Sequence, residues 1–176
     1  LVVVSVLGSV LHAQIASGLE RSRVQSSQYE ALALTAQAQK QWDDSIASSV
    51  EDLNRAANEI MTKFLSAPGP DPSRYVVMDR SASNDTDITL VQLASSRAVD
   101  IDLVTDELRA AVAASPGKQQ TQLTEVRIGT RDVPSVIVGS VVKVSDSAGS
   151  YDLYFIFPME QEVATMDLIG LPWRIT

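Results

Sequence analysis

Three prolines lie within five positions, at Pro68, Pro70 and Pro72, and no proline precedes them. A helix cannot continue through such a run, because proline lacks a backbone N–H and clashes with the preceding turn. The sequence up to Leu65 is rich in Ala, Gln, Glu, Leu, Ser and Arg, which are typical of helices. After the prolines the pattern changes to short strand-like segments. We therefore expect a helical first part and a mixed second part.

An apolar heptad pattern runs through the end of the helical part, with alternating steps of four and three residues. This face either packs on the sheet of its own chain or forms part of a dimer seam. The sequence from Trp42 to Ser45 indicates a helix end near residue 43, with Ser45 as the N-cap of the next helix. The members of the heptad are Ile46, Val50, Leu53, Ala57, Ile60 and Phe64.

The mixed part has the composition of an α+β fold. Strand-forming residues are grouped into five segments, separated by turn-forming residues, and two amphipathic stretches are expected to be helices. Strands followed by helices favour an antiparallel sheet, and we expect the helices to cover one of its faces. The predicted strands are residues 75–78, 88–93, 122–129, 135–144 and 151–157, and the predicted helices are residues 100–115 and 160–169.

The chain opens with an apolar run, and its first charged residue is Glu20. About 20 apolar residues span a bilayer, so residues 1–19 are expected to be the end of a transmembrane helix. The alternative is a signal peptide. The predicted organisation is one domain: this span end at 1–19, a helical segment at 20–66, an α+β core at 67–160, and an exit helix at 161–176 that leads to a second span.

Charge and composition exclude several classes of function. A net charge of −8 repels phosphate backbones, so nucleic-acid binding is not expected. The absence of cysteine excludes disulfides and thiolate chemistry. His12 is the one histidine and lies in an apolar setting, which argues against a catalytic triad. With no nucleophile elbow or phosphate-binding glycine loop, this stretch of chain is not expected to be an enzyme or to hold a cofactor.

The segment from Tyr151 to Ile169, YDLYFIFPMEQEVATMDLI, resembles the close of the extracytoplasmic domain in MtrB-type actinobacterial sensor histidine kinases. The sequences SSVEDLNR, from Ser48, and VIVG, from Val136, also resemble parts of that domain. The resemblance implies a membrane-anchored homodimer with a PAS-like or Cache-like sensor that responds to envelope or osmotic conditions. It also implies a cytoplasmic kinase core, which this sequence lacks, and a response regulator as its partner.

Two sets of residues are candidates for function on this interpretation. Ile15, Leu19 and Ser22 are expected to form the dimer and transmission seam, because a sheet cannot cover helix residues so close to the membrane. Sensors of this type often bind a small ligand over the sheet. The side chains that could line such a pocket are Asp79, Arg80, Arg127 and Tyr154, although strand residues of this kind more often lie on a solvated face.

An acidic region surrounds the predicted second strand and the helix that follows it. Oxygen-rich clusters can hold Ca²⁺ or Mg²⁺. Carboxylates also favour solvent and the positive end of a helix, which is the simpler interpretation here. The candidate metal ligands are Asp85, Asp87, Asp100 and Asp102.

The sequence thus favours the signal-input domain of a sensor histidine kinase, located outside the cytoplasm. An envelope protein or lipoprotein is a further candidate partner of this domain. The alternative is a secreted or membrane-anchored binding module with no kinase.

Overall fold

The computed structural model describes residues 18–69, 72–91, 93–94 and 99–160. The predicted span end at 1–19, except its last two residues, and the predicted exit helix beyond residue 160 lie outside these residues. Within them, no helix combines the length and the apolar character needed to cross a bilayer. The elements are α1 (Gly18–Asp43), α2 (Val50–Glu59) with a π-helical turn (Ile60–Leu65), β1 (Tyr75–Arg80), β2 (Leu93–Ala94), a 3₁₀ turn (Ile101–Leu103), α3 (Asp106–Ala114), β3 (Gln120–Ile128), β4 (Arg131–Ser145) and β5 (Gly149–Pro158).

The fold is α+β, with one antiparallel sheet in the order β2-β1-β5-β4-β3. The strands β3, β4 and β5 form two consecutive hairpins, as the spacing of their turns predicts. The strand β1 pairs with the other edge of β5, which places β5 in the centre of the sheet. Four long strands therefore make up the sheet, and the two-residue β2 extends it at the β1 edge.

The prediction of a strand over residues 88–93 is wrong for most of its length. Residues 81–91 form a loop that side chains hold in place. The amide Nδ2 of Asn84 donates to the backbone oxygens of Ala148 and Ser150 at 2.8 and 2.9 Å. The hydroxyl of Tyr151 accepts from the N–H of Leu90 at 2.9 Å. These bonds satisfy backbone groups that a strand would use, so the apolar alternation at 88–91 does not produce pairing.

Helices cover both faces of the sheet, whereas the sequence led us to expect cover on one face. One core cluster joins α1 and α2 to sheet residues such as Phe155 and Phe157. A second cluster, on the opposite face, joins α3 to Ile137 and Ile156. This explains why the seven residues from Tyr151 to Phe157 are all buried, since both faces of a strand covered on two sides lie against the core.

The helical part breaks where the sequence indicates, because α1 ends at Asp43. The predicted N-cap is wrong: Ser49, and not Ser45, caps α2, and its hydroxyl accepts from the N–H of Asp52 at 3.1 Å. Residues 44–49 link α1 to α2, and within this link the Ser45 hydroxyl accepts from the N–H of Ala47.

The heptad face packs within the chain. Its members Leu53, Ala57 and Ile60 are buried in the same cluster as the sheet. The first two members lie outside this packing, because Ile46 precedes α2 and is 98% exposed and Val50 begins the helix at 42% exposure. Intrachain packing, one of the two alternatives for this face, therefore accounts for its central part.

Candidate functional site

A polar cluster of two buried and two half-buried residues lies between α3 and the sheet. It consists of Asp79 on β1, Asp152 and Tyr154 on β5, and Arg109 on α3. In the register of β1 and β5, Asp79 is directly opposite Asp152, and Val77 is opposite Tyr154. Because side chains alternate between the two faces of a strand, Asp79, Asp152 and Tyr154 all point to the face that α3 covers.

The contacts within this polar cluster are specific. The Tyr154 hydroxyl donates to Oδ2 of Asp152 at 2.9 Å. The guanidinium of Arg109 forms an ion pair with the carboxylate of Asp79, and its Cζ lies 5.9 Å from the centroid of the Tyr154 ring. Asp152 is only 2% exposed, and its Oδ1 has no hydrogen-bond partner among the described residues. An aspartate with one unpartnered oxygen is thus held inside the domain.

Burial dominates the electrostatics of Asp152. It raises the pKa of this carboxyl above its ordinary value, and the nearby negative charge of Asp79 acts in the same direction. The hydrogen bond from Tyr154, the nearby hydroxyl of Ser81 and the charge of Arg109 oppose this rise without cancelling it. Burial, followed by the charge of Asp152, also raises the pKa of the Tyr154 phenol. The fold therefore favours the protonated form of the Asp152 carboxyl more than water does.

Gly139 makes room for this cluster. It lies on β4 opposite Tyr154, and the Tyr154 ring passes directly over it. A Cβ atom at position 139 would lie 2.7 Å from Cγ2 of Val112 on α3 and 2.8 Å from two carbons of the Tyr154 ring. The absence of a side chain here therefore allows both α3 and Tyr154 to approach the sheet.

Replacing Gly139 with Ala should destabilise the domain by about 1–3 kcal/mol, the usual cost of overpacking a core. The added methyl group must displace either α3 or the Tyr154 ring. Urea unfolding measures the loss, and Gly139→Ala should cost less in a Val112→Ala background, which lacks one of the two clashing groups. A single variant as stable as the wild type would show that the cluster is not packed this tightly.

The structure brings together two of the four predicted pocket residues. Asp79 and Tyr154 belong to the polar cluster. Arg80 points to the opposite face, where it donates to Thr89 and to backbone oxygens of the 81–91 loop. Arg127 is exposed on β3 and pairs with Asp132 at 3.0 Å. The predicted set therefore does not form one site.

The sequence analysis missed Asp152 and Arg109. The signal for Asp152 is present in the sequence, since it is the one charged residue within the apolar run from Tyr151 to Phe157. A carboxylate in such a strand is expected to have a specific environment. Arg109 has no comparable signal, because only the packing of α3 on the sheet brings it to Asp79.

The predicted acidic site receives no support. All four carboxylates are exposed, and the described residues contain no group of three or more acidic, histidine or cysteine side chains that could hold a metal. The predicted start of a helix at residue 100 is also wrong, because α3 begins at Asp106 and is capped by Thr105. The four residues are Asp85, Asp87, Asp100 and Asp102.

The predicted dimer residues lie at the start of the described chain. Ser22 is exposed on α1, and Leu19 belongs to the same helix. Ile15 lies outside the described residues. The seam stays a prediction, and the exposed position of Ser22 leaves it accessible to a second copy.

The start of α1 meets the end of β5, and we call this contact the junction of Arg23, Phe157 and Pro158. The guanidinium Cζ of Arg23 lies 5.7 Å from the centroid of the Phe157 ring, and its Nη2 donates to the Pro158 oxygen at 3.4 Å. Just beyond, the N–H of Met159 donates to the Pro134 oxygen at 2.8 Å. The first turns of the described chain and its last strand therefore lie at the same end of the sheet.

No protein-family model matches the sequence, and no curated protein is significantly similar to it. Function is therefore inferred from the geometry of the polar cluster and of the junction.

Proposed function

We propose that the chain is the extracytoplasmic signal-input domain of a membrane-bound, dimeric sensor histidine kinase. The observation that supports this most directly is the junction, where α1 begins beside the end of β5. A receptor with one span before its sensor and one after it needs both connections on the side that faces the membrane. The uncharged, apolar sequence before Glu20 supplies a candidate for the first span.

The packing of α1 supports a role for this helix in transmission. At the standard rise, its 26 residues extend about 39 Å. Its buried residues, Val24, Ala31, Ala38 and Trp42, belong to the same core cluster as the central strand. Near its far end, the amide of Gln39 exchanges two 2.9 Å hydrogen bonds with the backbone of Lys143 on β4. A rearrangement of the sheet would therefore move α1 as a packed unit, which is a recognised way of passing a signal between helices.

The finer identity of the fold is part of the proposal. A long helix on one face of an antiparallel sheet and a short helix on the other are compatible with a PAS-like or Cache-like sensor. The resemblance of residues 151–169 to MtrB-type kinases favours envelope or osmotic conditions as the stimulus. In this account, a cytoplasmic kinase core attached to the domain phosphorylates its own histidine and then a response regulator.

The proposed dimer seam can be tested with single cysteines, because the chain contains none. In membranes that carry the full gene product, Leu19→Cys and Ser22→Cys should form disulfide-linked dimers on mild oxidation, and so should Ile15→Cys. Lys63→Cys is the matched control, since Lys63 is exposed on the π-helical turn that follows α2. Dimers at position 63 but not at 15, 19 or 22 would contradict the seam.

The nucleotide sequence downstream of codon 176 distinguishes a sensor kinase from a binding module that has no kinase. A second span followed by a histidine-bearing dimerisation helix and an ATP-binding domain supports the kinase. A stop codon supports a secreted or anchored binding module.

A further inference from the structure

We propose that one proton, carried by the Asp152 carboxyl, controls how firmly α3 is attached to the sheet. The attachment of α3 has a polar part, in which Arg109 reaches Asp79 on β1, and an apolar part formed by Leu108 and Val112. Asp152 lies next to the polar part, directly across from Asp79 on the neighbouring strand. This proton linkage goes beyond the proposed signalling role and does not depend on an attached kinase.

Ionised Asp152 faces a second carboxylate on the neighbouring strand. Among the described residues, β1 contributes the carboxylate of Asp79, and α3 contributes the guanidinium of Arg109. Its own strand contributes the Tyr154 hydroxyl, and its partner on β4 is the apolar Val141. Asp79 and Asp152 are thus two carboxylates directly opposite each other on neighbouring strands, and like charges in that arrangement are destabilising.

The burial of Asp152 adds to this repulsion between the two carboxylates. Its ionised form keeps an oxygen, Oδ1, without a partner among the described residues at 2% exposure, which is unfavourable in a region that water does not reach. Protonation removes both the buried charge and the repulsion with Asp79. The bond that the Tyr154 hydroxyl donates to Oδ2 can persist, because a protonated carboxyl retains an accepting oxygen.

The direction of the pH effect follows from this environment. With α3 in place, the pKa of Asp152 is raised, chiefly by burial. With α3 detached and Asp152 in water, its pKa returns towards its ordinary value of about 4. The docked state therefore binds the proton more tightly. Its extra stability is fully present below the ordinary pKa and is lost as the pH rises through the raised pKa.

Hydrogen exchange of the α3 amides tests this linkage in the 176-residue chain. Between about pH 4 and about pH 8, protection factors of residues 108–112 should fall by about tenfold for each unit by which the two pKa values differ. Asp152→Asn, which imitates the neutral carboxyl, should keep its protection constant. Asp146→Asn is the control, because Asp146 is exposed and its pairing with Lys143 lowers its pKa, so this variant should follow the wild type at α3.

Equal wild-type protection at both ends of this pH range would overturn the proposal, and so would an Asp152→Asn variant that keeps the pH dependence. If Asp152→Asn does not fold, the carbon chemical shift of the Asp152 carboxyl in the wild-type chain decides the question. A titration midpoint above the ordinary aspartate value supports the linkage, and a midpoint at or below that value overturns it.

Discussion

Replacing Phe157 with Ala is expected to destabilise the domain by about 3–5 kcal/mol, the usual cost of removing a buried aromatic ring. Phe157 is 1% exposed, lies on the central strand and forms the surface over which Arg23 packs. The substitution therefore leaves a cavity at the junction and removes the ring over which Arg23, near the start of α1, packs. Urea unfolding measures the loss of stability, and hydrogen exchange should show weaker protection in the first turns of α1.

Tyr29→Ala provides the control for this experiment. Tyr29 is also an aromatic residue near the start of α1, but it is 66% exposed, so its loss should change stability by no more than about 0.5 kcal/mol. Similar costs for the two substitutions would show that Phe157 is not packed between α1 and the sheet. The junction would then not support a membrane-facing end of the domain.

Arg109→Met is expected to cost about 3 kcal/mol. This is the lower end of the range for breaking a buried ion pair. The lower end applies because the Arg109 and Asp79 side chains are 24% and 13% exposed and so are only partly buried. Methionine preserves the length of the side chain but removes the guanidinium that faces Asp79 and Asp152. Urea unfolding at neutral pH measures the cost, which should shrink as the pH falls because protonation of Asp152 removes one of the two negative charges that Arg109 faces.

The double variant Asp79→Asn/Arg109→Met separates two costs in stability. One is the loss of the ion pair, and the other is leaving the Asp79 carboxylate without the Arg109 guanidinium. Removing both charges should cost less than the sum of the two single losses, because the Asp79 carboxylate is then no longer left without the Arg109 guanidinium. Additive losses in the double variant would mean that Asp79 and Arg109 contribute independently. The polar cluster would then not act as a coupled unit.

Local patterns in the sequence predict a large part of this fold. The three prolines after Leu65 separate the helical part from the sheet, and turn residues mark the hairpins between β3, β4 and β5. These features depend on residues close together in the chain, where propensity and turn chemistry act directly. The break of α1 near residue 43 belongs to the same class.

Contacts between distant residues explain most of the errors. The loop at 81–91 shows a strand-like pattern, but its backbone is bound by the side chains of Asn84 and Tyr151, and those bonds depend on the position of β5. The cover of the second face also depends on where α3 packs. A spacing pattern contains neither kind of information.

The candidate site shows the same division. Asp79 on β1 and Tyr154 on β5 lie on the same face of the sheet. Only the register of β1 with β5 places Asp152 directly opposite Asp79. A shift of one residue in that register would turn the side chains to the other face. Arg80 and Arg127 were predicted to belong to the pocket because of their residue type, and their strand positions direct them away from it.

The most direct test of the proposed signalling role is histidine phosphorylation of the full gene product in membranes supplied with ATP. We expect acid-labile phosphate labelling of histidine in the wild type. Ile15→Lys or Leu19→Lys should change this labelling severalfold, while hydrogen exchange shows that the α+β core remains folded. Absence of histidine phosphorylation in the wild type, or unchanged labelling together with unchanged dimerisation in both variants, would contradict the proposed signalling role.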